Sequence, residues 1–271
     1  MNMRNIYNPI FTLVLMILCG LAPMASATSL LGGEQPMEAV APISKYVQKK
    51  YYKDAVRLAL RLNAENKNFH ALDVDASEGL VESIYSSLLA IHESKVTGAE
   101  EVTKLHKVHT FPTPSVDRFF IVYEKKASWA KPLRMGDNKT GSEKINKLLE
   151  KYGLVIDRNS EWDEEHNSIH VRATEPLNIA PLANDFKKID GVVLVDLLQP
   201  DGDGNDIEIK STGDGWQIDF VLKFGSCIDG CNQRHFWSFE VNNDGDVIFL
   251  GEFGDELPEW MREDRQLAER F

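Results

Sequence analysis

Residues 140–156 read TGSEKINKLLEKYGLVI, and this segment carries the clearest local signals for the fold of the middle of the chain. The interval from Thr140 to Glu143 is that of a capping box, a pattern typical of the start of a helix. Gly153 supplies a helix stop signal, and a short apolar strand over 154–156 follows it directly. Between the two signals, apolar residues recur at helical spacing: Ile145, Leu148, Leu149 and Tyr152. We therefore expect a helix that leads at once into a strand.

The segments on either side repeat this alternation of strand and helix. A second helix is predicted from Asn178, which has the chemistry of an N-terminal cap, to Gly191, which ends it. Runs rich in β-branched and aromatic residues predict strands over 116–123, 168–173 and 192–198. The resulting order is β-α-β-β-α-β, which is the split motif of ferredoxin-like domains. We therefore expect a ferredoxin-like module over 112–200.

The N-terminal part of the mature chain shows helical periodicity. Apolar residues recur at three- and four-residue intervals over 37–63 and again over 77–92. Each segment thus predicts an amphipathic helix with one apolar face that must pack on something else. These two helices form the expected N-terminal helical pair, within a module that spans 28–111.

The C-terminal part is rich in strands. Apolar and polar residues alternate over 216–224 and 237–241, and the sequence NDGD at 243–246 is typical of a hairpin turn. We expect a disulfide-containing antiparallel sheet over 201–257 and a C-terminal helix over 258–271. The fold class predicted for the whole chain is therefore α+β.

The first 27 residues have the three parts of a secretory signal peptide. They are a charged start at Arg4, an apolar run over 10–21, and the small residues Ala25-Ser26-Ala27. The run is shorter than the roughly 20 residues that a bilayer span needs. We expect cleavage before Thr28 and a periplasmic or secreted protein with no later membrane span. The alternatives are an uncleaved membrane anchor and lipid attachment at Cys19.

The chain is acidic, with 42 acidic and 30 basic residues and a formal net charge of -12. Such a surface repels the phosphate groups of nucleic acids, so nucleic acid is excluded as an expected partner. Anionic lipid is disfavoured for the same electrostatic reason.

Two cysteines, Cys227 and Cys231, remain after the expected cleavage. In an oxidising compartment an isolated pair favours a disulfide. Two alternatives stay open. Together with His235 the cysteines have the pattern Cys-x3-Cys-x3-His, which would suit copper or zinc, and the pair alone would suit thiol redox chemistry.

Two segments of the chain together carry a resemblance. The cysteine loop GSCIDGC at 225–231 is followed by HFWSF at 235–239, and the segment 177–192 precedes both. The combination resembles a group of exported bacterial proteins of unknown function that have a Cys-x3-Cys loop and a Trp-containing strand. Separately, the layout of the 112–200 module is similar to the propeptide domains of subtilisin-like proteases. That likeness implies a module that inhibits or chaperones a protease.

Metal binding has one candidate turn beside the cysteine loop. Oxygen-bearing side chains at odd positions, Asp201, Asp203 and Asn205, are similar in pattern to a calcium loop. Asp206 stands where that loop needs glycine, so an ordinary turn is the other interpretation. His106 and His109 form a weaker pair in a segment expected to be a solvated loop. No cofactor is expected.

No catalytic motif is present: the G-x-S-x-G and H-E-x-x-H patterns are both absent. We therefore expect a non-enzymatic exported protein that binds a macromolecule or a component of the cell envelope. The candidate binding residues are Trp216, His235, Phe236 and Trp237, some of which would otherwise belong to the core. The rival hypotheses are a metal or redox protein that uses Cys227, Cys231 and His235, and a protease-inhibitor-like module.

Overall fold

The computed structural model describes residues 42–65, 78–198, 200–227 and 230–261. The expected signal peptide and most of the expected C-terminal helix lie outside these ranges. Within them, no helix combines the length and the apolar character that crossing a membrane requires.

The described chain contains five α-helices and eight strands, arranged in two antiparallel sheets. The helices are α1 (Lys45–Glu65), α2 (Glu78–Glu93), α3 (Lys131–Arg134), α4 (Glu143–Lys151) and α5 (Ile179–Lys187). The strands are β1 (Arg118–Glu124), β2 (Leu154–Glu161), β3 (His166–Ala173), β4 (Val192–Asp196), β5 (Asp206–Ser211), β6 (Gly215–Phe224), β7 (Gln233–Asn242) and β8 (Val247–Gly254). The predicted α+β class is confirmed.

The central sheet has the strand order β2-β3-β1-β4, and each neighbouring pair is antiparallel. Ile121 of β1 lies opposite Ile169 on one side and Val195 on the other, so three strands present apolar side chains to one face. Ile145 of α4 and Phe186 of α5 are buried against that face. We call this cluster the central core. It is built from one continuous stretch of the chain.

The start of α4 corrects one detail of the sequence interpretation. Ser142, not Thr140, is the N-cap, since its hydroxyl accepts a hydrogen bond from the backbone N–H of Ile145 at 3.3 Å. Thr140 lies in the preceding turn and donates to the side chain of Asn146 at 2.9 Å. The sequence interpretation therefore placed the N-cap two residues too early, because both residues carry a hydroxyl group, and Ile145 occupies the N3 position where a capping box needs Glu or Gln.

The second sheet has the order β5-β6-β7-β8, and the two N-terminal helices pack on one of its faces. Ile84 and Leu88 of α2 share a buried cluster with Phe220, Trp237 and Phe239 of the sheet. We call this cluster the terminal core, because both ends of the described chain build it. The predicted helical pair and C-terminal antiparallel sheet are confirmed, as is the Cys227–Cys231 disulfide. The boundaries between modules stay predictions.

Basic side chains of α1 hold the segment that joins the two cores. Arg61 donates through Nη2 to the carbonyls of Phe111 and Thr113, both at 2.7 Å. Through Nη1 it also binds Asp206 at 2.8 Å. Lys53 pairs with Asp117 at 2.6 Å. The residues at the predicted boundary between the modules 28–111 and 112–200 are thereby fixed against α1.

Candidate ligand-binding pocket

A pocket of about 430 Å³ opens between α1, the end of α2 and the segment that follows α2. Its volume lies in the range typical of small-molecule sites. Side chains of three kinds line it: aromatic rings, lysines, and a few small or imidazole groups. The lining residues are Tyr46, Val47, Lys50, Tyr51, His92, Thr103, Lys104, Lys107 and His109.

An unusual backbone shapes the wall that follows α2. Glu101–Leu105 forms a π-helical turn, a feature found frequently at functional sites. Lys107 then adopts a positive φ of 48°, which only a few per cent of non-glycine residues do. The chain reverses at this point, and Val108 donates to the carbonyl of Val102 at 2.9 Å. Lys104, Lys107 and His109 thereby line the same pocket.

The π turn is anchored to the terminal core through Glu101. This carboxylate is buried and accepts a hydrogen bond from the indole N–H of Trp237 at 3.3 Å. Its other oxygen lies 3.5 Å from the Nε2 atom of His106. One wall of the pocket is therefore held by a strand that comes more than 100 residues later in the chain.

A buried carboxylate orients His109. Asp54, only 2% exposed, accepts hydrogen bonds from His109 Nδ1 at 2.6 Å and from the Thr110 hydroxyl at 2.6 Å. The Arg57 guanidinium lies 3.7 Å from the same carboxylate and donates to Thr110 Oγ1 at 3.2 Å. Since an ionised carboxylate only accepts, Nδ1 is the donor and Nε2 is left for another partner.

Tyr51 and His92 form neutral walls. The ring of Tyr51 lies 5.2 Å from that of His109 and 5.6 Å from that of His92. Burial, and next the charge of Asp54, raise the pKa of Tyr51, so it stays a phenol. Burial, and next the nearby Lys104, lower the pKa of His92. Its Nδ1 is buried and finds no hydrogen-bond partner in the described part of the chain.

The pocket is positively charged although the chain as a whole is acidic. Three of the lining residues are lysines, and none of the described lining residues is Asp or Glu. Lys50 lies 5.6 Å from the ring centre of Tyr46, and Lys104 pairs with Glu100 outside the lining set. The local potential therefore favours a negatively charged ligand.

The four binding residues predicted from the sequence fall in different environments. Trp237 is fully buried in the terminal core. Trp216 is half-buried against the same core and donates to the Ser83 hydroxyl at 2.8 Å. His235 is buried and donates to the Asp255 carbonyl at 2.8 Å. Phe236 lies on the other face of the sheet, where it stacks on Phe253 with ring centres 4.8 Å apart.

Phe236 belongs to an exposed apolar strip along the sheet edge. β8 is the last strand of its sheet, and Ile248, Leu250 and Phe253 are each at least half exposed. We call Phe236, Ile248, Leu250 and Phe253 the β8 strip. Edge strands with exposed apolar side chains are prone to pair with another chain.

The residues predicted to bind metals are engaged in protein contacts. Both sulfurs of the cysteine loop lie in the disulfide, and His235 Nε2 lies 3.3 Å from Glu252. Asp203 pairs with Lys223 at 2.6 Å, and Asn205 accepts from the Lys223 backbone at 3.0 Å. Across the described ranges, no group of three or more His, Cys, Asp or Glu side chains is placed to hold a metal ion. Calcium binding by Asp201, Asp203 and Asn205 stays a prediction, and it would require Lys223 to move away.

Comparison with known proteins adds no relative. Neither a protein-family model, nor a curated protein, nor a solved structure matches the chain. The resemblance to exported proteins with a Cys-x3-Cys loop, the likeness to protease propeptides and the ferredoxin-like assignment therefore all stay predictions.

Sequence reasoning missed most of the pocket. The helical periodicity over 37–63 places Tyr51 on the apolar face of the predicted helix. No sequence motif marks Asp54 or His92 as a functional residue. His109 was noticed only as the partner of His106, yet His106 does not line the pocket. One signal was available: Asp54 stands beside Ala55 and one helical turn before Leu58, at the edge of an otherwise apolar face.

Proposed function

We propose that this chain is an exported, non-enzymatic binding protein whose ligand enters the pocket between α1 and α2. The observation that carries the proposal is the pocket itself, a cavity of about 430 Å³ with tyrosine walls and three lysines. Ligand sites typically combine apolar walls with a few placed polar groups, and this lining has that composition.

Binding is favoured over catalysis because the reactive groups are already engaged. General-base chemistry at His109 would need a nucleophile within hydrogen-bond reach. In the described ranges His109 bonds to Asp54, and no serine, threonine or cysteine side chain is hydrogen-bonded to it. The Thr103 hydroxyl, which lies in the lining, donates instead to the Ala99 carbonyl at 2.7 Å.

The test is the binding of a neutral fluorescent probe, N-phenyl-1-naphthylamine, to the full chain. Val47→Trp fills the pocket, whereas Val193→Trp adds the same group at an exposed position on β4. We expect probe fluorescence to rise with the native protein and with Val193→Trp, and binding to weaken at least tenfold in Val47→Trp. Equal binding by both variants would exclude the pocket as the ligand site.

Export is tested separately by sequencing the N-terminus of protein recovered from its natural envelope or culture fraction. We expect the mature chain to begin at Thr28. A chain that still carries Arg4, recovered from the cytosol with both remaining thiols reduced, would contradict the exported part of the proposal.

A macromolecular partner is the second candidate, and the β8 strip is the observation that favours it. Three exposed apolar side chains on the edge strand of the described sheet offer side-chain contact to an extended segment of another protein. Crosslinking in the native envelope fraction should recover one defined partner. That partner should be lost in Ile248→Lys/Leu250→Lys and kept in Val47→Trp. Loss in Val47→Trp with retention in Ile248→Lys/Leu250→Lys would show that the partner binds at the pocket instead.

A further inference from the structure

We infer that the pocket selects an organic anion, a molecule with a single carboxylate on a flat apolar body. This inference rests on the proposed function, because it names the ligand class of the same site. It goes beyond it by predicting that a negative charge on the ligand strengthens binding, which a purely apolar pocket would not do.

The charge requirement follows from the distribution of ionisable groups. Lys50, Lys104 and Lys107 line the pocket, and no carboxylate lines it within the described residues. Glu100 partly offsets Lys104, which leaves Lys50 and Lys107 as the two exposed ammonium groups in the lining with no ion pair in the described chain. A carboxylate placed between them would be attracted by both.

The buried carboxylate that contacts His109 does not cancel this potential. Asp54 is buried behind His109, and the Arg57 guanidinium lies 3.7 Å from its carboxylate. Its two oxygens are occupied by hydrogen bonds from His109 and Thr110. Asp54 therefore orients the imidazole while its own charge is balanced from the side away from the pocket.

The flat apolar body follows from the aromatic walls. Tyr51 is buried, with its ring next to the two imidazoles, and Tyr46 is 72% exposed at the pocket mouth. Val47 lies on the same helix, one residue after Tyr46. The Thr103 hydroxyl donates to the Ala99 carbonyl, so its proton is already engaged in a hydrogen bond within the protein. Offset stacking on tyrosine rings favours a planar ligand over a branched one.

His109 adds a directional contact. Its ring orientation is fixed because Nδ1 donates to Asp54 at 2.6 Å. The other ring nitrogen, Nε2, is the position left for a polar atom of the ligand. A planar ring ligand that carries a carboxylate and a second polar substituent would contact both the lysines and this nitrogen.

The experiment compares two isosteric probes, 2-naphthoate and 2-naphthamide, by isothermal titration calorimetry with the full chain. They differ in charge and share the same planar body. We expect naphthoate to bind at least tenfold more tightly at low salt, and the preference to fall in 0.5 M NaCl because salt screens the lysines.

Variants locate the charge effect. In Lys50→Gln/Lys107→Gln we expect the preference for naphthoate to fall below threefold, with naphthamide binding unchanged. Lys126→Gln, an exposed lysine on the central part of the chain, is the matched control and should keep the full preference. Lys50 and Lys107 are both exposed, so the double variant should fold as the native protein does.

The outcomes separate the two proposals. Equal binding of both probes, each abolished by Val47→Trp, would overturn the anion inference and leave the pocket as a ligand site. Naphthoate binding that survives in Val47→Trp would overturn it too, because the charge effect would then lie elsewhere. No binding of either probe or of N-phenyl-1-naphthylamine would overturn both.

Discussion

The central core and the terminal core are built in opposite ways. The central core comes from one continuous stretch, and its helix starts and stops are marked by nearby residues such as Ser142. The terminal core joins segments that lie far apart: Trp216 bonds to Ser83 and Trp237 to Glu101, with sequence separations of 133 and 136. It also contains a buried charged group, Asp54, whereas the ion pair of Arg172 with Asp157 in the central sheet is solvent-exposed.

This difference explains where the pocket lies. Where distant segments pack together, an interface forms between them, which we call the seam. Polar groups that are buried at this interface must be paired. The seam here lies between α1, the end of α2 and the π turn, and the Asp54–His109 pair lies beneath it. The central part, 118–196, has an apolar core, and Thr140 and Ser168, the buried polar side chains in its described residues, carry no charge. The comparison therefore predicts that polar substitutions act strongly in the terminal core and weakly in the central sheet.

Asp54→Ala should produce the largest loss of stability. It leaves His109 and Thr110 without their common acceptor and the buried Arg57 without its ion-pair partner, and breaking a buried pair of this kind costs about 3–5 kcal/mol. Urea denaturation followed by far-UV circular dichroism measures the change. Asp157→Asn in the exposed pair is the control, with a loss of about 0–1 kcal/mol. Equal losses for the two variants would remove the contrast between the cores.

Arg61→Ala should come next. This side chain donates to the carbonyls of Phe111 and Thr113 and to the Asp206 carboxylate, so its removal breaks three hydrogen bonds that involve a charged group. We expect a loss of about 2–3 kcal/mol in the same measurement. Arg172→Ala, at an exposed pair of the central sheet, should lose less than about 1 kcal/mol. A small effect at Arg61 would mean that the joining segment is held by other contacts.

Removal of the disulfide should have a moderate effect. Cys227→Ser/Cys231→Ser opens a ring of sequence separation 4, and the chain-entropy model gives about 2 kcal/mol for so small a loop. Thermal unfolding, compared with the single variant Ser226→Ala, measures it. If the double variant failed to fold, the terminal core would depend on the covalent link rather than on long-range packing.

The smallest effect should be a pH dependence that comes from His92. Burial lowers its pKa in the folded state below the ordinary 6.5, so the folded protein loses stability as the pH falls from 6.5 through that lowered pKa. Between pH 7 and pH 5, the free energy of unfolding should fall less in His92→Gln than in the native protein.

Two carboxylates that bind lysines in the folded protein titrate below this window. The pKa of Glu100 and of Asp203 lies below the ordinary values of 4.5 and 3.8, because Lys104 and Lys223 respectively hydrogen-bond to them. His170 of the central sheet also has a pKa lowered first by burial and next by Arg158, so its contribution remains in both proteins. Identical slopes for the native protein and His92→Gln would contradict the assignment.

The contrast between the cores also explains how far the sequence could be interpreted. The strands and helices of the central sheet follow from local signals, and the order along the chain emerged from apolar periodicity and from residues such as Gly153 and Asn178. Even there, the sequence did not distinguish Thr140 from Ser142 as the N-cap of α4, because both side chains carry a hydroxyl group. In the C-terminal sheet, the alternation of apolar and polar residues predicted the strands. It did not predict which elements would cover the apolar face.

The pocket could not be predicted because no local pattern encodes it. The π turn depends on Glu101 meeting Trp237, and the role of Asp54 depends on His109, which lies 55 residues away. For the same reason the aromatic residues of β7 were grouped as one candidate surface. Trp237 and Phe236 are neighbours in sequence, yet they face opposite sides of a sheet whose inner side is covered by α1 and α2.

The binding of 2-naphthoate can be located on the protein by ¹H–¹⁵N chemical-shift changes. We expect the largest shifts on backbone amides of the pocket lining, such as Val47, Thr103 and His109, and no change on those of the β8 strip. Shifts concentrated on Phe236, Ile248 and Phe253, with none at His109, would contradict binding in the pocket.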